Sequence, residues 1–279
     1  MSAFAGSPIG CRIDDAHSPQ SGYVDLLEAG VQPARPIGST EQEWTAIEAP
    51  VALTVNGISQ AVMLATPLNL QDFALGFATS EGWITHPSEL LDVEALQTSK
   101  GIELALRLQA SCEYRLKQRR RLLAGRTGCG LCGLESLAQL DAIEPGPVFP
   151  PAVHAGALSR AFSSLAGVQP LNRRCGGLHV AAWCTLDGEI LLAREDVGRH
   201  NALDKLVGAR LHRMQRDVED GFVLMSSRAS HELVHKAAMA GVGMLSCVSA
   251  PTSMAIATAE RFGVHLWAFV RGDRATRYA

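Results

Sequence analysis

"GFVLMSSRASHELVHKAAMAGVGMLSCVSAPTSMAIATAERFGVHLWAFV", residues 221–270, reads as strand, helix, strand, helix, strand. Apolar runs at 221–227, 244–250 and 264–270 alternate with helical stretches at 231–241 and 253–263. Strands alternating with helices at this spacing predict βαβ units, parallel pairing and a layered α/β sheet. Ligands of such sheets gather outside the carboxyl ends of the strands. That rule singles out three loops, "SSRAS" (226–230), "SAPTS" (249–253) and "RGDR" (271–274).

Upstream of this stretch, "LHVAAWC" (178–184) and "EILLARE" (189–195) flank Asp187-Gly188, a hairpin signal. Helices are expected at 154–167 and over "NALDKLVGARL" (201–211). The proline-rich "DAIEPGPVFPPAV" (141–153) reads as a linker and places a domain boundary near residue 148. Before it, two β-rich runs flank Asn56-Gly57, a second hairpin signal. "NLQDFALGFATSEGWI" (69–84) carries Leu70, Phe73, Ala74 and Phe77 at helical steps, with Gly82 placed to stop the helix. Strands follow at 90–97 and 102–109. The expected organisation is a flexible start over residues 1–44, an N-terminal α+β domain over 45–148, and an α/β domain with a layered mixed sheet over 149–279.

With 279 residues, 47% of them hydrophobic, the chain has enough apolar material for a substantial core. Its formal net charge of -3 gives no global basic excess, so neither nucleic acid nor a membrane is an expected partner. The start "MSAFAGSPIGCRIDD" lacks the pattern of an export signal, and no run approaches a membrane span, so a cytoplasmic location is expected. Seven scattered cysteines fit a reducing compartment better than a disulfide framework.

Three groups of residues carry chemistry. "GRTGCGLCGLESL" (125–137) sets Cys129 and Cys132 among glycines, behind a basic run of Arg115, Lys117, Arg119, Arg120, Arg121 and Arg126. A helix start and nearby arginines favour the thiolate, the form that sulfur nucleophiles require. A cycling disulfide, half a zinc site, a sulfur relay and a compact turn all remain open on these residues alone. Zinc is the weakest of them: it needs four ligands, and no second CxxC, or HxxxH at finger-like spacing, accompanies the first. No metal is expected. The second group, "REDVGRHNALDK" (194–205), concentrates Glu195, Asp196, Arg199, His200, Asn201, Asp204 and Lys205 at a strand end. It is either a site or a helix start in which Asn201 caps and Lys205 pairs along the helix. The third group is the loops themselves. Ser226, Arg228 and Ser253, with Arg271 and Arg274, offer hydroxyls, helix-start N–H groups and guanidinium forks suited to phosphate, although no Walker loop is present. His179 opens the strand after "GG" (176–177).

"DFALGFATSEG", "GCGLCG", "GGLHVAAW", "EDVGRHNALDK", "SSRAS", "SAPTS" and "FVRGDR" occur in that order, and together they resemble the FdhD family of formate dehydrogenase accessory proteins, over residues 45–279. The resemblance implies a homodimer whose larger domain is similar to cytidine deaminases without their zinc. It implies a sulfurtransferase that accepts persulfide sulfur from a cysteine desulfurase and delivers it to the Mo-bis(molybdopterin guanine dinucleotide) cofactor of a formate dehydrogenase catalytic subunit. By the same resemblance Cys129 carries the persulfide, with Cys132 its partner. Phe269, Val270, Arg271, Gly272, Asp273 and Arg274 match the cofactor-binding stretch, for which guanosine diphosphate is the expected mimic. Ser226, Arg228, Ser253, His179 and His200 complete the candidate cofactor-binding set. Cys175, standing before "GGLH", departs from the family pattern. Two rival readings are a cofactor-binding chaperone without an obligatory sulfur relay, and a disulfide oxidoreductase.

Overall fold

The computed structural model describes residues 30–37, 41–117, 144–214, 220–272 and 274–279. Strand β1 (Val31–Ala34) pairs antiparallel with β2 (Glu43–Ala46). This ribbon lies inside the segment expected to be flexible, and Val31, fully buried, anchors it. A four-stranded sheet follows, built from β3 (Ala49–Val55), β4 (Ile58–Ala65), β5 (Leu90–Thr98) and β6 (Gly101–Leu108), with helix α1 (Leu70–Ser80) between β4 and β5. Its order is β4-β3-β6-β5. The β3–β4 turn is the hairpin read from Asn56-Gly57, whose φ angles of 48° and 78° suit these two residue types. Val51, Leu53 and Val55 on β3 alternate inward with Leu104 and Leu106 on β6, and pack on Phe73 and Phe77 of α1.

The second sheet is built from β7 (His179–Thr185), β8 (Ile190–Asp196), β9 (Gly221–Met225), β10 (Met244–Cys247), β11 (His265–Arg271) and β12 (Arg274–Arg277). Its helices are α2 (Ala155–Leu165), the single turn α3 (Asn172–Cys175), α4 (Arg199–Met214), α5 (His231–Met239) and α6 (Ser253–Phe262). Strand order is β12-β11-β10-β9-β7-β8. The β9–β10 and β10–β11 pairs are parallel, as the alternation in 221–270 requires, and the outer strands run antiparallel. On one face Trp183, Val223, Met225, Leu245 and Leu266 pack against Leu203, Leu206, Leu233 and Ala259 of α4, α5 and α6. On the other, Val180, Ala182, Phe222, Leu224 and Val270 pack against Leu158, Ala161 and Leu165 of α2. The result is a mixed sheet between two helical layers.

The two sheets are joined by α1 lying against α4. A Cβ on Gly76 would come within 1.7 Å of the Asp204 carbonyl oxygen, and one on Gly208 within 1.9 Å of the Asp72 carbonyl oxygen, so only glycine permits this approach. Polar groups close the same seam. Lys205 and Asp196, both with fully buried side chains, pair at 2.6 Å. Lys205 also donates to the Thr66 carbonyl at 2.7 Å, and the Thr66 N–H donates to Asp196 at 3.0 Å. Asn201 donates to the Leu64 carbonyl and to Asp196. Beyond them Lys236 reaches Asp204, Ser80 and Glu81 at 2.9–3.1 Å.

This seam corrects the helix-start reading of "REDVGRHNALDK". The helix begins at Arg199, so Asn201 lies within its first turn and does not cap it. Lys205 turns back to the end of β8 instead of pairing along the helix. Both changes have one cause: burial against the first sheet makes Thr66 and Leu64 the partners that satisfy these groups.

Candidate functional site

Parallel strands β9, β10 and β11 end on one edge of the large sheet, where β8 also ends and β7 begins. That topology collects His179, Arg199, His200, 226–230, 249–253 and 269–272 along a single edge. The loops interlock through backbone bonds: Ser226 N–H to Val180 O, Ser249 N–H to Ser227 O, Ala229 N–H to Ala250 O, and Phe269 N–H to Ser249 O. The frame of the edge is thus fixed by main chain, leaving side chains to face outward.

Individual side chains divide by task. The Ser226 hydroxyl accepts from the Val180 N–H at 3.0 Å and lies 3.3 Å from His179 Nδ1. Ser230 caps α5 by accepting from the Leu233 N–H, and Thr252 caps α6 by accepting from the Ala255 N–H. Capping therefore occupies those two hydroxyls, whereas Ser253 and Arg228 are exposed. Phe269 is also exposed, and it sits at φ 51°, a left-handed conformation that an aromatic residue rarely adopts. The bulge between Ala268 and Arg271 produces it and turns the ring outward. Val270, by contrast, is fully buried in the core, so its side chain cannot meet a ligand. Arg271 donates from Nε to the Val248 carbonyl at 3.2 Å, which ties its guanidinium to the end of β10. Arg274 and Gly272 lie exposed beside it.

His200 pairs through Nε2 with Glu232 at 2.8 Å, a partner not recognised in the sequence. The carboxylate lies one turn along the next βα unit, where no spacing links it to His200. Burial, helped by the charges of Arg199 and His200, pushes the His179 imidazole below its ordinary value and keeps it neutral near pH 7. Arg199 itself is partly buried, and its Nε is sealed from solvent without a hydrogen-bond partner.

"HELVH" (231–235) matches the HExxH pattern of zinc hydrolases, another signal the sequence reading passed over. The side chains serve other partners: His231 Nδ1 meets the Thr258 hydroxyl at 2.7 Å, His235 lies edge-on to Phe262, and Glu232 holds His200.

Cys129, Cys132 and Asp273 lie outside the described residues, as does the basic run from Arg119 to Arg126. Arg115, ahead of that run, is committed to Glu89 at 2.7 Å and to the Trp83 carbonyl, so it belongs to the small sheet's packing. Cys11 also lies outside the described residues, and the four described thiols are sharply ranked. Cys112, Cys184 and Cys247 are fully buried. Burial pushes Cys184 up to about 12 and Cys247 higher still, which makes both inert. Cys175 is half-buried at the end of α3, next to Arg174, which stacks over Trp44 at 3.9 Å.

Known proteins resemble the chain over most of its length. The FdhD/NarQ family profile matches residues 46–279. "Sulfur carrier protein FdhD" of Variovorax paradoxus is 52% identical over 83% of this chain and 83% of its own. The protein of the same name from Chromobacterium violaceum is 50% identical, covering 84% of this chain and 88% of its own. That of Bordetella petrii is 43% identical over 96% of this chain and 97% of its own. A crystal structure from Desulfotalea psychrophila, described as a formate dehydrogenase accessory protein, superposes with a TM-score of 0.67 at 22% identity, covering 89% of this chain and 94% of that one. It shows the same fold. Among the described residues no helix is long and apolar enough to cross a membrane.

Proposed function

The chain belongs to the FdhD/NarQ family, and from that premise we propose that it is a sulfur carrier for a formate dehydrogenase, loading sulfur on Cys129 and passing it to a Mo-bis(molybdopterin guanine dinucleotide) substrate held at the strand-end edge. In the loading step the Cys129 thiolate attacks the terminal sulfur of a cysteine desulfurase persulfide. A new S–S bond forms on Cys129, the donor's S–S bond breaks, and the donor cysteine leaves as thiolate and takes up the proton. Sulfur moves at constant oxidation state, so no outside oxidant is needed.

The division of the thiols carries this reading furthest. A carrier needs an accessible thiolate, and three of the seven cysteines are sealed in the core. Cys129 and Cys132 are the pair whose glycine-rich surroundings admit a macromolecular donor. The edge suits the anionic, heterocyclic substrate: Phe269 offers a ring face, Arg228, Arg271 and Arg274 offer cationic forks, and Ser226, Ser253, His179 and His200 offer hydrogen-bonding groups.

The test is intact-mass measurement without reductant after incubation with a cysteine desulfurase and cysteine. Wild type is expected to gain the mass of one sulfur atom, removable by dithiothreitol. Cys129→Ala should lose the gain and Cys175→Ala should keep it. No gain with an active donor, or a gain surviving in both Cys129→Ala and Cys132→Ala, overturns the relay.

A further inference from the structure

We infer that the bare face of the small sheet, turned away from α1, is the docking surface for the sulfur donor, which meets it with a basic, apolar helix. The inference deepens the sulfur-carrier reading above and rests on it for the identity of the partner.

Strand alternation gives the small sheet two faces. Val51, Leu53, Val55, Leu104 and Leu106 point to α1, and α1 in turn lies against α4. The other face carries Pro50 and Ala52 of β3, Leu64 and Val62 paired with them on β4, Ala105 of β6 and Leu96 of β5. A sheet face left to water carries polar residues at such alternate positions. This one does not. Val62 and Leu64 are 56% and 54% exposed, and among the described residues no helix covers them. Layered domains bury a face of this kind under a further element, most simply a helix.

Charge decides what kind of helix. Glu103 lies between Ala52 and Leu96, and Glu94 lies beside Ala105. Glu103 accepts from the Thr54 hydroxyl at 2.9 Å, and neither carboxylate forms an ion pair among the described residues. Arg107, on the same face, already stands 3.6 Å from Asp92. A second copy of the chain laid on this face would bring like charges together, whereas a basic surface complements them. Size agrees with a brief encounter: four strands of about eight residues offer roughly 500 Å² a side, below the about 800 Å² per partner of a stable complex. A carrier must release its donor, so a small interface suits it.

Position selects the donor. The face lies on the side of the small sheet away from α4 and the large sheet, so a protein seated there leaves the strand-end edge free. Strand β6, which supplies Glu103 and Ala105, leads through Lys117 toward Cys129, 12 residues further on. That length of chain spans at most about 40 Å, enough to meet a partner on this sheet.

The test follows sulfur transfer from a cysteine desulfurase to the full chain by intact mass, and donor binding by interferometry. Wild type is compared with the double variant Val62→Ser/Leu64→Ser, with Glu94→Lys, and with Glu189→Lys, an exposed site in the β7–β8 hairpin, after thermal unfolding shows that each is folded. The double variant and Glu94→Lys are each expected to raise the KM for the donor roughly tenfold at unchanged kcat. Glu94→Lys should also weaken the salt dependence, and Glu189→Lys should match wild type. Loading by inorganic polysulfide, which needs no docking surface, should be equal in all four proteins. Glu94→Lys alone decides if the double variant does not fold. Unchanged donor KM and affinity in the face variants overturn the docking surface and leave the relay standing. Donor binding that the face variants weaken, with no sulfur gained by wild type, supports the surface and overturns the relay. A wild-type dimer that the double variant converts to monomer at unchanged donor KM assigns the face to a second copy and overturns the inference.

Discussion

Segment 194–205 sends its charges in two directions, and the two groups differ in how completely they are satisfied. Toward the small sheet, Asp196 receives four donors and Lys205 reaches two acceptors. Toward the strand-end edge, His200 has its carboxylate but Arg199 has none among the described residues. One stretch of chain therefore contains a closed network and an open one. A buried charge with every valence met holds the architecture together, whereas a part-buried cation with a sealed, unpartnered Nε adds little to it.

The sharpest way to break this comparison is to unpair the closed group. Lys205→Ala leaves Asp196 buried without its cation, and a loss of about 3–5 kcal/mol in unfolding free energy is expected by chemical denaturation. A loss below about 1 kcal/mol would mean that the seam is not where stability resides, and the division into closed and open groups would fail. Gly76→Ala tests the same seam through shape. Its methyl would collide with the Asp204 backbone, and helices forced apart should cost about 1–3 kcal/mol.

A smaller effect, about 1 kcal/mol, is expected at the seam's outer end. Burial alone would raise the Asp72 carboxyl, but hydrogen bonding to His212 and the charge and hydrogen bond of Arg194 outweigh it and hold the group below its usual 3.8. Because the folded value is the lower one, the contribution is fully present above 3.8 and is lost as pH falls through the folded value. Asp72→Asn should accordingly be less stable than wild type at neutral pH, with the gap closing in acid. A gap that widens in acid would reverse the sign of the assignment.

Local signals were legible wherever the answer was local. Asn56-Gly57 and Asp187-Gly188 named their hairpins, and the alternation in 221–270 named the parallel strands and the edge they create. Even the inward turn of Val270 between exposed Phe269 and Arg271 follows the period of two that any strand obeys. What could not be read was the meaning of Asp196, Asn201 and Lys205. Their partners Thr66 and Leu64 stand 130 to 139 residues upstream, and no spacing rule reaches that far. Asn201 has the composition of a cap, and Lys205 that of a helix-surface pair. Docking of a second sheet overrode both, because buried groups take the partners that tertiary contact supplies. Arg199 was visible as one of seven polar residues, and only the satisfaction of the others distinguishes it.

The smallest change in stability is expected at the open end of the segment. Arg199→Gln removes a part-buried charge whose Nε has no hydrogen-bond partner and which forms no ion pair among the described residues. Its desolvation cost disappears with it. Unfolding free energy is expected to stay within about 0.5 kcal/mol of wild type or to rise. Denaturation curves of Arg199→Gln and Lys205→Ala, two cations only six residues apart, then separate the open from the closed group directly. A loss in Arg199→Gln approaching that of Lys205→Ala would show that the arginine is structural after all and that the two groups do not differ.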